Sequence, residues 1–186
     1  MPLRRKHMKL DYIDLFNTIM PGFLQREGIR ALPPEEVYDE QILDLRSFSA
    51  DDYEISCPEH ITFGFYKGDL AGIHEAVKAV EDGWISCYTP DSDIYCAFDG
   101  DRIVSFCLVD EFGTYNGLKI GGPGCVGTIP AYRRQGIGLK MVQKATEILK
   151  ERGFDLSYIH YTGVGHWYAK LGYETIVKWN SRGIVG

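Results

Sequence analysis

Val126-Gly127-Thr128-Ile129-Pro130-Ala131-Tyr132-Arg133-Arg134-Gln135-Gly136-Ile137-Gly138 is the stretch on which the reading of this chain turns. Its first residues read as the end of a strand. Its last residues open an apolar stripe, Ile137, Met141, Val142, Ala145, Ile148 and Leu149, which keeps helical spacing until Gly153 stops it. A glycine-bearing turn between a strand and a helix aims backbone N–H groups at one point, and the helix dipole adds positive potential there. Gly136 and Gly138 carry no Cβ to hold an anion off, and Arg133 and Arg134 place guanidinium groups at the rim. The turn therefore suits a phosphate or pyrophosphate. Two familiar phosphate loops fail here. A dinucleotide fingerprint needs a glycine where Met141 stands, and a nucleoside-triphosphate loop needs Lys-Ser/Thr where Leu139-Lys140-Met141 follow Gly138.

Working outward, Leu156 to Tyr161 reads as a strand, about 164–171 as a short helix, and Glu174 to Trp179 as a last strand. On the N-terminal side a further strand covers about 119–129 despite its glycines. Before it, Ile94–Phe98 and Ile103–Val109 read as a hairpin turned at Asp99-Gly100. Ile61 to Tyr66 is β-branched and aromatic, as a strand requires. Asp69 then caps a helix carrying Leu70, Ile73, Val77 and Val80, with Gly83 as its stop. Upstream, residues 11–20 place Tyr12, Leu15, Phe16, Ile19 and Met20 at helical spacing behind Asp11. Pro33-Pro34 opens a second expected helix, with Val37, Tyr38, Ile42 and Leu45 on one face. The order predicts an α+β domain with a mixed sheet over 61–186, preceded by a helical extension over 1–60.

Composition narrows the function. The chain has 186 residues, enough for one domain with its own core, and a net charge of −6. That charge disfavours nucleic-acid binding, which needs a basic field, and is compatible with a cationic acceptor. No apolar run approaches a membrane span, so no membrane partner is expected. Arg4, Arg5, Lys6 and Lys9 precede no apolar segment, which excludes a secretory-signal reading. The cysteines (Cys57, Cys87, Cys96, Cys107, Cys125) are odd in number and scattered, as free thiols in a reducing cytoplasm would be. His160 and His166 are spaced unlike a metal site, so no metal is expected.

Two segments, in the right order and separation, resemble the GNAT superfamily of acetyl-CoA-dependent N-acetyltransferases. Val126 to Gly138 is similar to that family's acetyl-CoA signature. Trp167-Tyr168-Ala169-Lys170-Leu171-Gly172-Tyr173 is similar to its Y-x-K-x-G-F segment, with Tyr173 in place of the usual Phe. The resemblance covers about 61–180 and implies a GNAT-like fold with acetyl-CoA as co-substrate and an amine as acceptor. It implies that backbone groups of Val126, Gly127 and Thr128 pair with the pantetheine arm. Backbone N–H groups from Arg134 through Gln135, Gly136, Ile137, Gly138 and Leu139 would hold the pyrophosphate, with Arg133 beside them. Tyr168 falls where the family often keeps a tyrosine that protonates the departing thiolate. A backbone N–H near Thr128 would stabilise the oxyanion.

The departures are specific. Many relatives carry a glutamate base on the strand entering the turn, and Lys119 to Cys125 contains no acid. Asp110 and Glu111 are the candidates in its place, with solvated strand-end residues as the favoured reading. A frequent family Asn is Tyr161 here. Cys125 reads as a buried structural cysteine and Trp167 as packing. The expected activity is transfer of acetyl by direct attack of a primary amine, first of a small molecule and alternatively of a peptide or protein. A non-catalytic acyl-CoA sensor is the reading from another class, and a homodimer is left open.

Overall fold

Hydrogen bonding between distant segments, more than local periodicity, decides which parts of this chain become strands. The computed structural model describes residues 9–186; Arg4, Arg5 and Lys6 of the basic run lie outside the described residues. The chain runs α1 (Tyr12–Ile19), α2 (Glu27–Arg30), β1 (Tyr38–Asp44), β2 (Ile61–Phe65), α3 (Leu70–Lys78), β3 (Ile94–Asp99), β4 (Arg102–Tyr115) and β5 (Leu118–Thr128). It continues α4 (Ile137–Glu151), β6 (Leu156–Thr162), α5 (Gly165–Tyr168), β7 (Glu174–Asn180) and β8 (Gly183–Ile184). The strands form one mixed sheet in the order β2-β3-β4-β5-β6-β1-β7-β8, in which β5 and β6 are the parallel pair. This is the α+β, GNAT-like architecture expected.

Caps and faces explain the helices. Asp11 accepts the N–H of Asp14 and Asp69 that of Gly72, which satisfies one orphan donor at the start of α1 and of α3. The apolar stripe of α4 puts Met141, Val142, Ala145 and Leu149 into a core with Leu43, Cys107 and Ile159 on one face of the sheet. On the other face Ile73 and Val77 of α3 meet Phe106 and Leu108, and Leu15 of α1 meets Ile42 and Tyr158.

Three local expectations are corrected. The helix expected after Pro33-Pro34 is β1, held antiparallel between β6 and β7. A strand inside a sheet is buried on both faces and loses its alternation, so Val37, Tyr38, Ile42 and Leu45 mimic a helical stripe. The expected boundary at residue 60 thus falls between two strands of one sheet. In the hairpin Asp99 pairs with Arg102, so the turn residues are Gly100 and Asp101, with Gly100 at φ +58°. Finally, α3 stops at Lys78, and Gly83 lies in a separate 3₁₀ turn capped by the Glu81 side chain.

One irregularity positions the site. β5 pairs with β4 along its length, but with β6 only at Ile120↔Leu156 and Gly121↔Ser157. Register with β4 slips between Phe106↔Gly127 and Leu108↔Gly124, and Cys125 takes φ +45° at this bulge. Beyond Gly121 the two central strands part.

Candidate active site

The parting leaves one edge of Val126-Gly127-Thr128 without a strand partner. That edge is a wall of a cavity of about 580 Å³. The turn and the first residues of α4 supply Arg133, Arg134, Gly136, Ile137, Gly138 and Leu139, and α5 supplies His166, Trp167 and Tyr168. Val80 and Trp84 close it from the α3 side. An unpaired edge opposite a helix N-terminus offers an extended ligand a ladder and its anionic end a positive dipole.

Nearly every residue picked out in the sequence meets there. Gln135 does not line the cavity; its side-chain amide turns back to the Ala131 carbonyl at 3.4 Å. Arg133 is tethered, its Nε donating to the Thr128 carbonyl at 3.1 Å. Arg134 is exposed, with its backbone at φ +62°. Ser105 braces the strand end: its hydroxyl donates to the Gly127 carbonyl at 2.7 Å and lies 2.9 Å from Thr128 Oγ1.

The glycines serve a purpose that the sequence does not reveal. Gly136 caps α4 at φ +78°, and a Cβ there would collide with the carbonyl oxygen of Ser56. A Cβ on Gly138 would stand 2.6 Å from Thr128 Oγ1. The space expected for an anion at these two positions is filled by the chain's own segments. The turn is locked from behind.

Tyr168 is 6% exposed and is held by ring edges, with Trp167 at 4.9 Å and Tyr173 at 5.9 Å between centroids. Its hydroxyl makes no hydrogen bond among the described residues, and burial pushes the phenol well above its usual range. Tyr173 is fixed in turn, its hydroxyl 2.8 Å from Thr146 Oγ1 and 2.7 Å from Ser157 Oγ. Trp167, read as packing, both packs on Tyr168 and lines the cavity. Val80, Trp84, Val164, His166 and Lys170 also line it, and no motif marks them in the sequence.

The departures resolve by position. Burial pushes the Cys125 thiol up to about 12, which keeps it protonated and fits the structural reading. Tyr161 does not line the cavity; its ring packs on Tyr38 at 4.7 Å and Trp179 at 4.9 Å. Its backbone at φ +55° is held by an N–H donated to Glu40 at 3.1 Å. Glu111 is exposed and lies 3.9 Å from Lys119. Asp110 is half-buried on the face that carries α3. Among the described residues no group of three or more His, Cys, Asp or Glu could hold a metal ion, and no helix is long and apolar enough to cross a membrane.

A sheet parted at its centre beside a glycine turn defines the class. Residues 90–175 match the family model described as the Acetyltransferase (GNAT) domain. Solved structures agree on the fold. A GCN5-related glucosamine N-acetyltransferase region of a fungal multi-domain GH3 β-N-acetylglucosaminidase is 20% identical at TM-score 0.63, over 77% of this chain and 20% of that one. A GCN5-related N-acetyltransferase from Sphaerobacter thermophilus is 20% identical at TM-score 0.58, over 78% and 50%. One from Kribbella flavida is 21% identical at TM-score 0.53, over 76% and 55%. The chain thus spans between a fifth and about half of these structures. Among curated proteins none matches the sequence.

Proposed function

We propose that the protein transfers an acetyl group from acetyl-CoA to a primary amine of a small molecule by direct attack. The observation that carries this reading is the free edge of Val126–Thr128, which ends at the N-terminus of α4 inside one cavity. The edge offers backbone groups to the pantetheine arm, and the N–H groups of Arg134 through Leu139 face the pyrophosphate, with Arg133 and Arg134 beside it. A backbone N–H near Thr128 stabilises the oxyanion. The amine nitrogen bonds to the thioester carbon, the C–S bond breaks, Tyr168 gives its proton to the leaving thiolate, and its phenolate takes a proton back from the acylated nitrogen. The high Cys125 thiol supports attack without an acetyl-enzyme. Five free cysteines fit a cytoplasmic place of work.

The test is release of free CoA from acetyl-CoA with a panel of alkylamines, glucosamine and amine-bearing peptides. Glucosamine is included because one structural neighbour is described as acting on it. Turnover with the small amines is expected. Peptide-only turnover would move the reading to protein amines, and acetyl-CoA binding without turnover on any amine would make the protein a sensor.

A further inference from the structure

The five cysteines are free thiols, and two of them stand together. The Cys87 thiol lies within hydrogen-bonding reach of the Cys125 thiol. Cys87 is exposed and ends the 3₁₀ turn Asp82–Cys87. Cys125 is half-buried at the bulge of β5, where its backbone takes φ +45°. One residue fastens both. Tyr88 follows Cys87 in the chain, is 1% exposed, and donates its hydroxyl to the Cys125 carbonyl at 2.8 Å. Its own carbonyl accepts from His74 Nε2 at 2.7 Å, and the Cys87 carbonyl accepts the Ser92 hydroxyl at 3.2 Å. Two thiols distant in sequence are thus held side by side by the fold.

Neither thiol lines the cavity, but each is joined to its wall. Trp84, in the same 3₁₀ turn as Cys87, closes the cavity from the α3 side, and Val126, next to Cys125, begins the free edge. A sulfur–sulfur bond is shorter than the contact of two thiols. Joining Cys87 to Cys125 therefore draws the turn toward β5, and Trp84 toward Val126. The two sulfurs differ in readiness. Peroxides react with thiolates that solvent can reach, and Cys87 is exposed. Burial pushes the Cys125 thiol up to about 12, so it stays protonated and waits for a partner sulfur.

We infer that Cys87 and Cys125 form a peroxide-driven, reversible disulfide that narrows the cavity at its Trp84 wall. The Cys87 thiolate attacks one peroxide oxygen, the O–O bond breaks, and hydroxide leaves, giving a sulfenic acid on Cys87. The Cys125 sulfur then bonds to the Cys87 sulfur, the S–O bond breaks, and the Cys125 proton departs with the hydroxyl as water. Two electrons pass from the thiols to the peroxide. A small dithiol restores both thiols by exchange. Disulfides of a reducing compartment are of this transient, sensing kind. The pairing stands apart from the acetyltransferase reading, and only its effect on acetyl-CoA rests on that reading.

Oxidation of the native full chain with hydrogen peroxide is the test. Peptide mapping by mass spectrometry should show Cys87 joined to Cys125, and dithiothreitol should separate them. In Cys125→Ser the reaction should stop halfway, with dimedone trapping a sulfenic acid at Cys87. In Cys87→Ser the Cys125 thiol should stay free. The narrowing is read without any cofactor: acrylamide quenching of Trp84, taken as the difference between wild type and Trp84→Phe, should fall on oxidation. Acetyl-CoA affinity should fall about tenfold in the oxidised wild type and should hold in Cys87→Ser treated alike. Absence of the joined peptide, its formation with Trp84 quenching unchanged, or equal acetyl-CoA affinity in the two redox states overturns the inference. A reduced wild type that binds no acetyl-CoA counts against the acetyltransferase reading instead, and mapping and quenching then decide the pair on their own.

Discussion

The two flanks of the C-terminal half of β5 carry opposite chemistry. Toward α4 the surroundings are basic and built of backbone: the helix N-terminus, Arg133 fastened to Thr128, and Arg134. Toward α3 they are acidic and built of one side chain, Asp110, over Gly124. The first flank is held by the fold itself, through the Gly136 approach to Ser56 and the Ser105–Thr128 contact. Asp110 itself is held by nothing described. The contrast teaches that a change on the α4 flank should damage the fold together with any ligand, whereas a change at Asp110 should spare the fold.

Gly136→Val is the hardest blow to that contrast. A branched side chain must hold φ near +78° and displace the Ser56 carbonyl, which costs about 3–5 kcal/mol. In a chain of this length the unfolding midpoint should fall by roughly 6–20 °C. Gly138→Ala keeps helical dihedrals and clashes only with Thr128 Oγ1, its approaches to Trp167 and Ser105 being ordinary contacts, so it should fall much less. Thermal unfolding of both variants without ligand checks the order. Equal midpoints would mean that the segment around Ser56 gives way and that the turn is not locked by the fold.

Tyr168 stands at the cavity between the flanks. Tyr168→Phe keeps its ring contacts with Trp167 and Tyr173, so acetyl-CoA affinity and stability should hold while kcat drops. A phenol pushed upward is a weaker acid, and thiolate is a tolerable leaving group, so the loss should lie near the low end, about 100-fold. Steady-state kinetics, with affinity measured separately, is the check. An unchanged kcat would leave the proton to water and remove the residue from the mechanism.

The legibility of these features follows the range of the interactions that make them. The presence of the turn, α4 and the Asp99–Arg102 hairpin rests on neighbours in sequence, so caps, glycines and periodicity expose them, while the contact of Gly136 with Ser56 that locks the turn does not show in the sequence. β1 rests on β6 and β7, more than a hundred residues away, and so does the satisfaction of Glu40 by Trp179 and His160. A run containing Asp39, Glu40 and Gln41 therefore reads as part of a helix when it belongs to a strand inside the sheet. Trp84 at the cavity and the left-handed Tyr161 are hidden for the same reason. Asp110 is visible as an acid on the strand before β5, but its missing partner and the glycine beneath it are facts of three dimensions.

The smallest effect expected is also the one that cuts the comparison most finely. Arg134 is exposed and holds φ +62°, a left-handed backbone that a side chain adopts at a cost. Arg134→Gly removes that cost and the guanidinium charge together, so its two consequences should have opposite signs. Relief of strain, less the added entropy of glycine in the unfolded chain, should stabilise by about 1 kcal/mol, a rise in midpoint of roughly 2–4 °C. Loss of an exposed charge facing a pyrophosphate should weaken acetyl-CoA binding only about three- to tenfold, because solvent and salt screen it. The weakening should shrink as salt is raised, while the midpoint gain should not. Unfolding without ligand and calorimetry with acetyl-CoA at low and high salt read the two terms separately. A variant that is both more stable and undiminished in affinity would show that the backbone of the turn alone holds the anion. One that loses stability would mean that the Arg134 side chain holds the turn in place, and the two flanks of β5 would then differ less than their chemistry suggests.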